Sequence, residues 1–261
     1  MEAALKELVI HYEIEGREGA PVVTLSHSLA CSLRLWDQQM PALGDRFRVL
    51  RFDTRGHGAS SAPPGPYDLE MLTADLIGLL DRLGIARTHF VGISMGGMIG
   101  QVLACRYPHR LDRLVLASTT CRVPPETAPL WEERIRAAQN GGMEALAPDT
   151  LKRWLSDEFR RDHPQWSEKI RRMILDTPVD GYIGCSRAIG AFDISGELGI
   201  VVAPTLVVAG SRDESTPVSA AMAIRERIEG ARLALMPGAL HLCNIEACEA
   251  FNRTIPDFLG S

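Results

Sequence analysis

The sequence predicts one doubly wound α/β domain, a mostly parallel sheet with helices on both faces. Three observations carry that expectation. Short apolar, β-branched runs alternate with segments of helical periodicity. Most of the runs are nearly continuous rather than alternating in apolar residues, as strands covered on both faces are. The length, 261 residues, suits a single large domain of this class.

The elements follow in order. Residues 8–14 alternate more, and read as an antiparallel edge strand. Continuous runs come next at 22–25 (VVTL), 48–52 (RVLRF), 89–93 (HFVGI), 114–117 (LVLA), 205–209 (TLVVA) and 233–236 (LALM). Over 68–84, Leu69, Leu72, Leu76, Leu79, Leu80 and Leu83 recur at spacings of three and four, and Gly84 supplies a stop. Further helices are expected over 94–107, 216–230 and 246–259.

Residues 121–195 break the rhythm. They lack β-branched runs and hold Pro124, Pro125, Pro129, Pro148, Pro164 and Pro178, with Trp131, Trp154 and Trp166. Short helices separated by prolines fit best. The expectation is a helical cap inserted before the last two strands, over the carboxyl edge of the sheet. The core then comprises 1–120 and 196–261, and the cap 121–195.

Composition narrows the function. A net charge of -5 gives no basic surface for nucleic acid or anionic membrane. No apolar run reaches the length of a membrane span. Cys31, Cys105, Cys121, Cys185, Cys243 and Cys248 form no C-x-x-C pair, so no zinc site is expected. The segment MEAALKELVI lacks a basic stretch followed by an apolar one, so a reduced, cytoplasmic protein is expected. The expected partner is a small-molecule substrate, and no metal or organic cofactor is implied.

The segment Gly92-Ile93-Ser94-Met95-Gly96-Gly97 follows a buried run and opens a helix. A turn this tight needs nearly bare residues two before and two after the serine, and Gly92 and Gly96 provide them. A serine there stands at a helix N-terminus, where backbone N–H groups favour developing negative charge. A hydroxyl still needs a base. Of seven histidines, His241 lies just past the last strand run, where catalytic groups gather in open α/β sheets. His27 and His57 also follow strands. His27 opens the loop expected to stabilise the oxyanion, and His57 sits in a glycine-rich turn expected to shape that loop. His11, His89, His109 and His163 read as surface or packing residues. Asp213, just past TLVVAG, is the expected carboxylate partner of His241, with adjacent Glu214 its competitor. The oxyanion donors are expected to be the backbone N–H of Met95 and, by position, of Leu29.

The stretches LSHSLACSLRLWDQQMPAL, FRVLRFDTRGHGASSAPPGPYDLEMLTADLIGLLD, HFVGISMGGMIGQ and HLCNIEACEAF resemble the 3-oxoadipate enol-lactonases of the α/β-hydrolase superfamily. The resemblance implies the α/β-hydrolase fold and the triad Ser94, Asp213 and His241. It is strongest over about residues 22–120 and 200–259 and thinner through the cap. The superfamily's oxyanion loop often reads His-Gly; here it reads His27-Ser28, and Ala30 stands where glycine is common in the enol-lactonase branch. The implied substrate is a small five-membered lactone bearing a carboxymethyl arm, an anion that an acidic protein must hold with a local cation. Arg187, in GCSRAIGAF, is the first candidate and Arg134, in WEERI, the second. The Ser28 hydroxyl is an alternative, and Trp131 is the expected apolar wall. Haloalkane dehalogenases and epoxide hydrolases look similar but use an aspartate at the elbow, which Ser94 replaces. Two further readings stand beside the lactonase. One is a broad carboxylesterase with perhydrolase side activity; the other is a non-catalytic small-molecule binder.

Overall fold

Each of the six runs expected to be strands, at 22–25, 48–52, 89–93, 114–117, 205–209 and 233–236, lies in a strand of the computed structural model, which describes residues 1–6 and 8–260. The strands are β1 (Glu2–Leu5), β2 (Leu8–Gly16), β3 (Val22–Ser26), β4 (Arg48–Phe52), β5 (Thr88–Ile93), β6 (Leu111–Ala117), β7 (Thr205–Gly210) and β8 (Arg232–Met236). They form one sheet in the order β1-β2-β4-β3-β5-β6-β7-β8. From β4 to β8 all neighbours are parallel, while β2 is antiparallel to both β1 and β4. One expectation is corrected here. The strand over 8–14 is antiparallel but not at the edge; β1, which sequence reading missed, takes the edge through the register Glu2↔His11 to Leu5↔Leu8. Four residues are too short to show a period.

The helices between β3 and β6 are α1 (Met40–Gly44), α2 (Leu69–Arg82) and α3 (Met95–Arg106). In α2 the Asp68 carboxylate caps the first turn by accepting from Met71 N at 2.6 Å, and Leu69, Leu72, Leu76, Leu79 and Leu80 are buried. Between β6 and β7 lie α4 (Ala128–Gly141), α5 (Ala147–Trp154), α6 (Asp157–Asp162), α7 (Pro164–Asp176) and α8 (Val179–Gly190). The chain ends with α9 (Val218–Arg227), α10 (Cys243–Glu246) and α11 (Cys248–Leu259). All residues of β5 and β7 are buried, as central strands with helices on both faces require. Among the described residues, no helix is long and apolar enough to cross a membrane, and all six cysteines are free.

Two features position the site. β4 lies to one side of β3 and β5 to the other, so the loops leaving β3 and β5 diverge and open a crevice at their carboxyl ends. The five inserted helices are tied to that edge. Leu242 N donates to Trp154 O (3.2 Å), and the Glu246 carboxylate accepts from both Ser156 N (2.7 Å) and Leu240 N. Farther out, Lys169 of α7 pairs with Asp37 (2.6 Å), which also pairs with buried Arg51 of β4.

Candidate active site

The strand–helix turn at the end of β5 is forced by sterics. A Cβ on Gly92 would lie 2.1 Å from Gly96 O, and one on Gly96 would lie 2.2 Å from Ser26 O. Between them Ser94 adopts φ 56°, ψ -116°, a conformation L residues rarely hold. Its backbone is pinned: Ser94 N donates to Ala117 O (2.9 Å), and Thr119 Oγ1 donates to Ser94 O (2.8 Å). The side chain is thereby presented at the sheet edge, at the N-terminus of α3.

The loop after β8 brings His241 to it. His241 Nε2 lies 2.9 Å from Ser94 Oγ, and His241 Nδ1 lies 2.8 Å from Asp213 Oδ2. Asp213 also accepts from Thr216 Oγ1 (2.7 Å), Ser215 N (2.8 Å) and Thr216 N (3.1 Å). Burial pushes the Asp213 carboxyl upward, but the charge of His241 and the hydrogen bonds from His241 and Thr216 outweigh it. The group is held below its ordinary value and stays ionised. A carboxylate so fixed keeps the His241 proton on Nδ1, leaving Nε2 free to accept from the serine. Glu214 is exposed at the cavity rim and takes no part in this chain of bonds. The Trp154 ring stacks over His241 with centroids 6.0 Å apart.

The other half of the crevice is the loop after β3. Gly96 N donates to His27 O (3.1 Å), which ties this loop to the start of α3. The backbone N–H groups of Leu29 and Met95 have no acceptor among the described residues. Ala30 adopts φ 55°, the left-handed conformation a glycine would take freely, so the loop keeps its shape at the cost of some strain. Ser28 is buried, and its Oγ has no hydrogen-bond partner.

These groups open into a cavity of about 970 Å³. Its wall includes Ser28, Leu29, Ser94 and His241 from the sheet edge and Trp131, Arg134, Arg153, Trp154 and Tyr182 from the inserted helices. Among the described residues, the other three cations on the wall have carboxylate partners: Arg122 with Asp193 (3.3 Å), Lys152 with Asp149 (3.8 Å) and Arg212 with Glu158 (4.0 Å). Arg134 and Arg153 have none. Arg134 lies over the Trp131 ring (5.0 Å), and Arg153 donates to Thr150 Oγ1 (3.0 Å). Burial pulls both guanidinium pKa values down, and for Arg153 the nearby Arg134 adds to the effect.

The structure thus brings Ser94, Asp213, His241, Leu29, Met95, Ser28, Trp131 and Arg134 to one place. It does not bring Arg187, which is exposed on α8 and absent from the cavity wall. The small residues among which Arg187 sits serve packing. A Cβ on Gly181 would meet Gly56 O at 2.1 Å, and one on Gly184 would meet the Tyr67 ring at 2.6 Å. Sequence reading missed Arg153, Trp154 and Tyr182. Arg153 follows Lys152, and nothing in that pair says which one is half-buried without a carboxylate and which is exposed and paired until the helical phase of α5 is known.

The model of the alpha/beta hydrolase fold family matches residues 21–247. The 3-oxoadipate enol-lactonase 2 of Acinetobacter baylyi is 34% identical over 96% of this chain and 92% of its own length. The RutD protein of Stutzerimonas stutzeri, named for carbamate hydrolysis, is 30% identical over 96% of this chain and 97% of its own. The crystal structure of the enol-lactonase from Burkholderia xenovorans LB400 superposes with a TM-score of 0.96 at 39% identity, covering 100% of both chains. Matched over most of its length in sequence and over all of it in fold, the chain belongs to the α/β-hydrolase family of hydrolases.

Proposed function

We propose that the protein is a serine hydrolase that opens a small, carboxylate-bearing lactone, with 3-oxoadipate enol-lactone as the substrate. The observation that carries this reading is the pairing of two features in one cavity. Ser94, His241 and Asp213 form an unbroken chain of hydrogen bonds, and Arg134 and Arg153 face the same space without a carboxylate of their own. Two half-buried cations with no counter-charge are costly to keep unless a ligand supplies one. The enol-lactonase relatives agree with a lactone as that ligand.

In this reading Ser94 Oγ attacks the lactone carbonyl and passes its proton to His241 Nε2. The N–H groups of Leu29 and Met95 receive the oxyanion. Collapse breaks the ring C–O bond. The leaving enol oxygen takes the proton from His241, and the enol becomes a ketone. Water then attacks the acyl-enzyme with His241 again as base, and the second collapse returns the proton to Ser94 and releases a carboxylate. Residues 121–195 act as the cap over this site, with Trp131 as apolar wall and Arg134, Arg153 and the Ser28 hydroxyl holding the substrate's arm.

The test is a comparison of substrates on the purified protein. The enol-lactone should be opened with kcat/KM far above that for p-nitrophenyl acetate, and Ser94→Ala should abolish both activities. A preference for the neutral ester would move the protein to a second reading, a broad carboxylesterase. The size of the cavity favours that second reading, since about 970 Å³ is more than a five-membered ring fills.

A further inference from the structure

The loop that carries the Leu29 N–H is held by two buried imidazoles that proton transfer at Ser94 does not use. Leu29 N–H and the Ser28 carbonyl belong to one peptide plane and point in opposite directions. The Ser28 carbonyl accepts from His27 Nδ1 (2.7 Å) and from Cys31 N (3.2 Å). In the next plane Ala30 N–H donates to His57 Nε2 (2.9 Å). Two consecutive planes are therefore fixed, one by each histidine. The rings lie 5.2 Å apart, and both are fully buried.

The hydrogen bonds also assign the protons. A backbone N–H can only donate, so His57 Nε2, which faces Ala30 N, carries no proton. The same holds for His27 Nε2, which faces Thr54 N at 3.0 Å. Each ring keeps one proton on Nδ1, given to Arg55 O (3.2 Å) by His57 and to Ser28 O by His27. Burial supports this neutrality, pushing His57 down to about 3 and His27 down as well. Ala30 gives the arrangement its purpose. It sits at φ 55°, where an alanine tends to relax, and the bond to His57 keeps it there.

We propose that His57, acting with His27, is a positioning residue for oxyanion stabilisation. As neutral, Nδ1-protonated imidazoles the pair fixes the two peptide planes flanking Leu29 and aims its N–H into the cavity beside that of Met95. The proposal rests on the reading of Ser94 as an acylated nucleophile, and the test separates the two.

The variants are His57→Phe, which keeps a ring but removes the acceptor, and His57→Gln, whose amide oxygen can occupy the place of Nε2. The readouts are p-nitrophenyl acetate turnover and inhibition by phenylboronic acid, which becomes tetrahedral on a reactive serine. His57→Phe should lower kcat by about 10- to 100-fold, less than the full loss of an oxyanion donor, with KM nearly unchanged. Boronate affinity should fall in parallel, and His57→Gln should recover most of both. A folded His57→Phe protein with wild-type kcat and boronate affinity would overturn the proposal. So would a loss confined to KM, or no recovery in His57→Gln. If His57→Phe does not fold, the nitrogen NMR spectrum of histidine-labelled wild type decides. His57 should be neutral with its proton on Nδ1 and should not titrate between roughly pH 8 and 5; an Nε2 proton, or titration in that range, refutes it. A wild-type protein that neither turns over ester nor binds boronate would sink the hydrolase reading instead, and the spectrum would still judge His57.

Discussion

Arg153→Met tests the cavity's charge by driving two quantities in opposite directions. In the free protein the change removes a half-buried cation that has a hydroxyl but no carboxylate for a partner and lies near Arg134. Replacing such a charge by an apolar chain of similar length relieves desolvation and repulsion, and a gain of about 1 kcal/mol is expected. For a chain of this size that corresponds to a rise in Tm of about 2–4 °C. On the proposed reading, the change also removes one guanidinium from the substrate's carboxylate in the complex. Two unit charges 4 Å apart at an effective dielectric constant of 20 attract by about 4 kcal/mol. Solvent reaching a half-exposed side chain brings the cost of truncation to about 2–3 kcal/mol, near the lower end for charge pairs in interfaces. The expected loss in kcat/KM for the anionic lactone is therefore about 30- to 150-fold. The assay is paired: melting temperature in buffer free of multivalent anions, and kcat/KM for the lactone beside that for p-nitrophenyl acetate. The ester should lose little. An equal loss on both substrates would refute the reasoning, as would a fall in Tm, since either would make Arg153 a structural residue held by Thr150.

Other expectations follow from the same geometry. Ser94→Ala and His241→Ala should each lower kcat by about four decades or more without changing the circular dichroism spectrum, because the members act as a unit. Asp213→Asn should cost about one to two decades less than these, while Glu214→Gln should stay close to wild type in the same assay. Stability should fall with acid. His27 and His57 have folded pKa values below their unfolded ones, so the unfolded chain binds more protons between about pH 6.5 and the folded values, and each histidine contributes a slope of up to about 1.4 kcal/mol per pH unit there. Urea melts from pH 7 to pH 4.5 should show that decline, and His57→Gln should flatten it. Ala30→Gly should release the left-handed strain and raise stability by up to about 1 kcal/mol in the same melts.

The sheet was legible because parallel strands are written as short, mostly apolar runs, even at half-exposed β8, and the elbow because its glycines answer a steric demand between neighbours in sequence. Chain order and position after strands were enough to name Ser94, Asp213 and His241, which the fold brings within hydrogen-bond distance. The inserted helices were harder. Which arginine faces a cavity depends on helix phase and on what lies opposite, and neither is local. Arg187 illustrates the failure: glycine-rich surroundings look the same in sequence whether they cradle a ligand or let α8 press against Gly56 and Tyr67. β1 was missed for a related reason, since its pairing partner, not its own pattern, makes it a strand.

The bonds from Trp154 O and Ser156 N to the residues around His241 limit how the enzyme can be re-engineered or can diverge. The inserted helices and the histidine loop share Glu246, whose two carboxylate oxygens serve one partner in each. A graft of residues 121–195 from a relative would therefore leave Glu246 facing a foreign backbone and disturb the loop that holds His241, even with Ser94, Asp213 and His241 intact. Substrate range and catalytic competence are inherited together at this seam, and a viable chimera must carry the loop from 237 to 247 along with the helices above it.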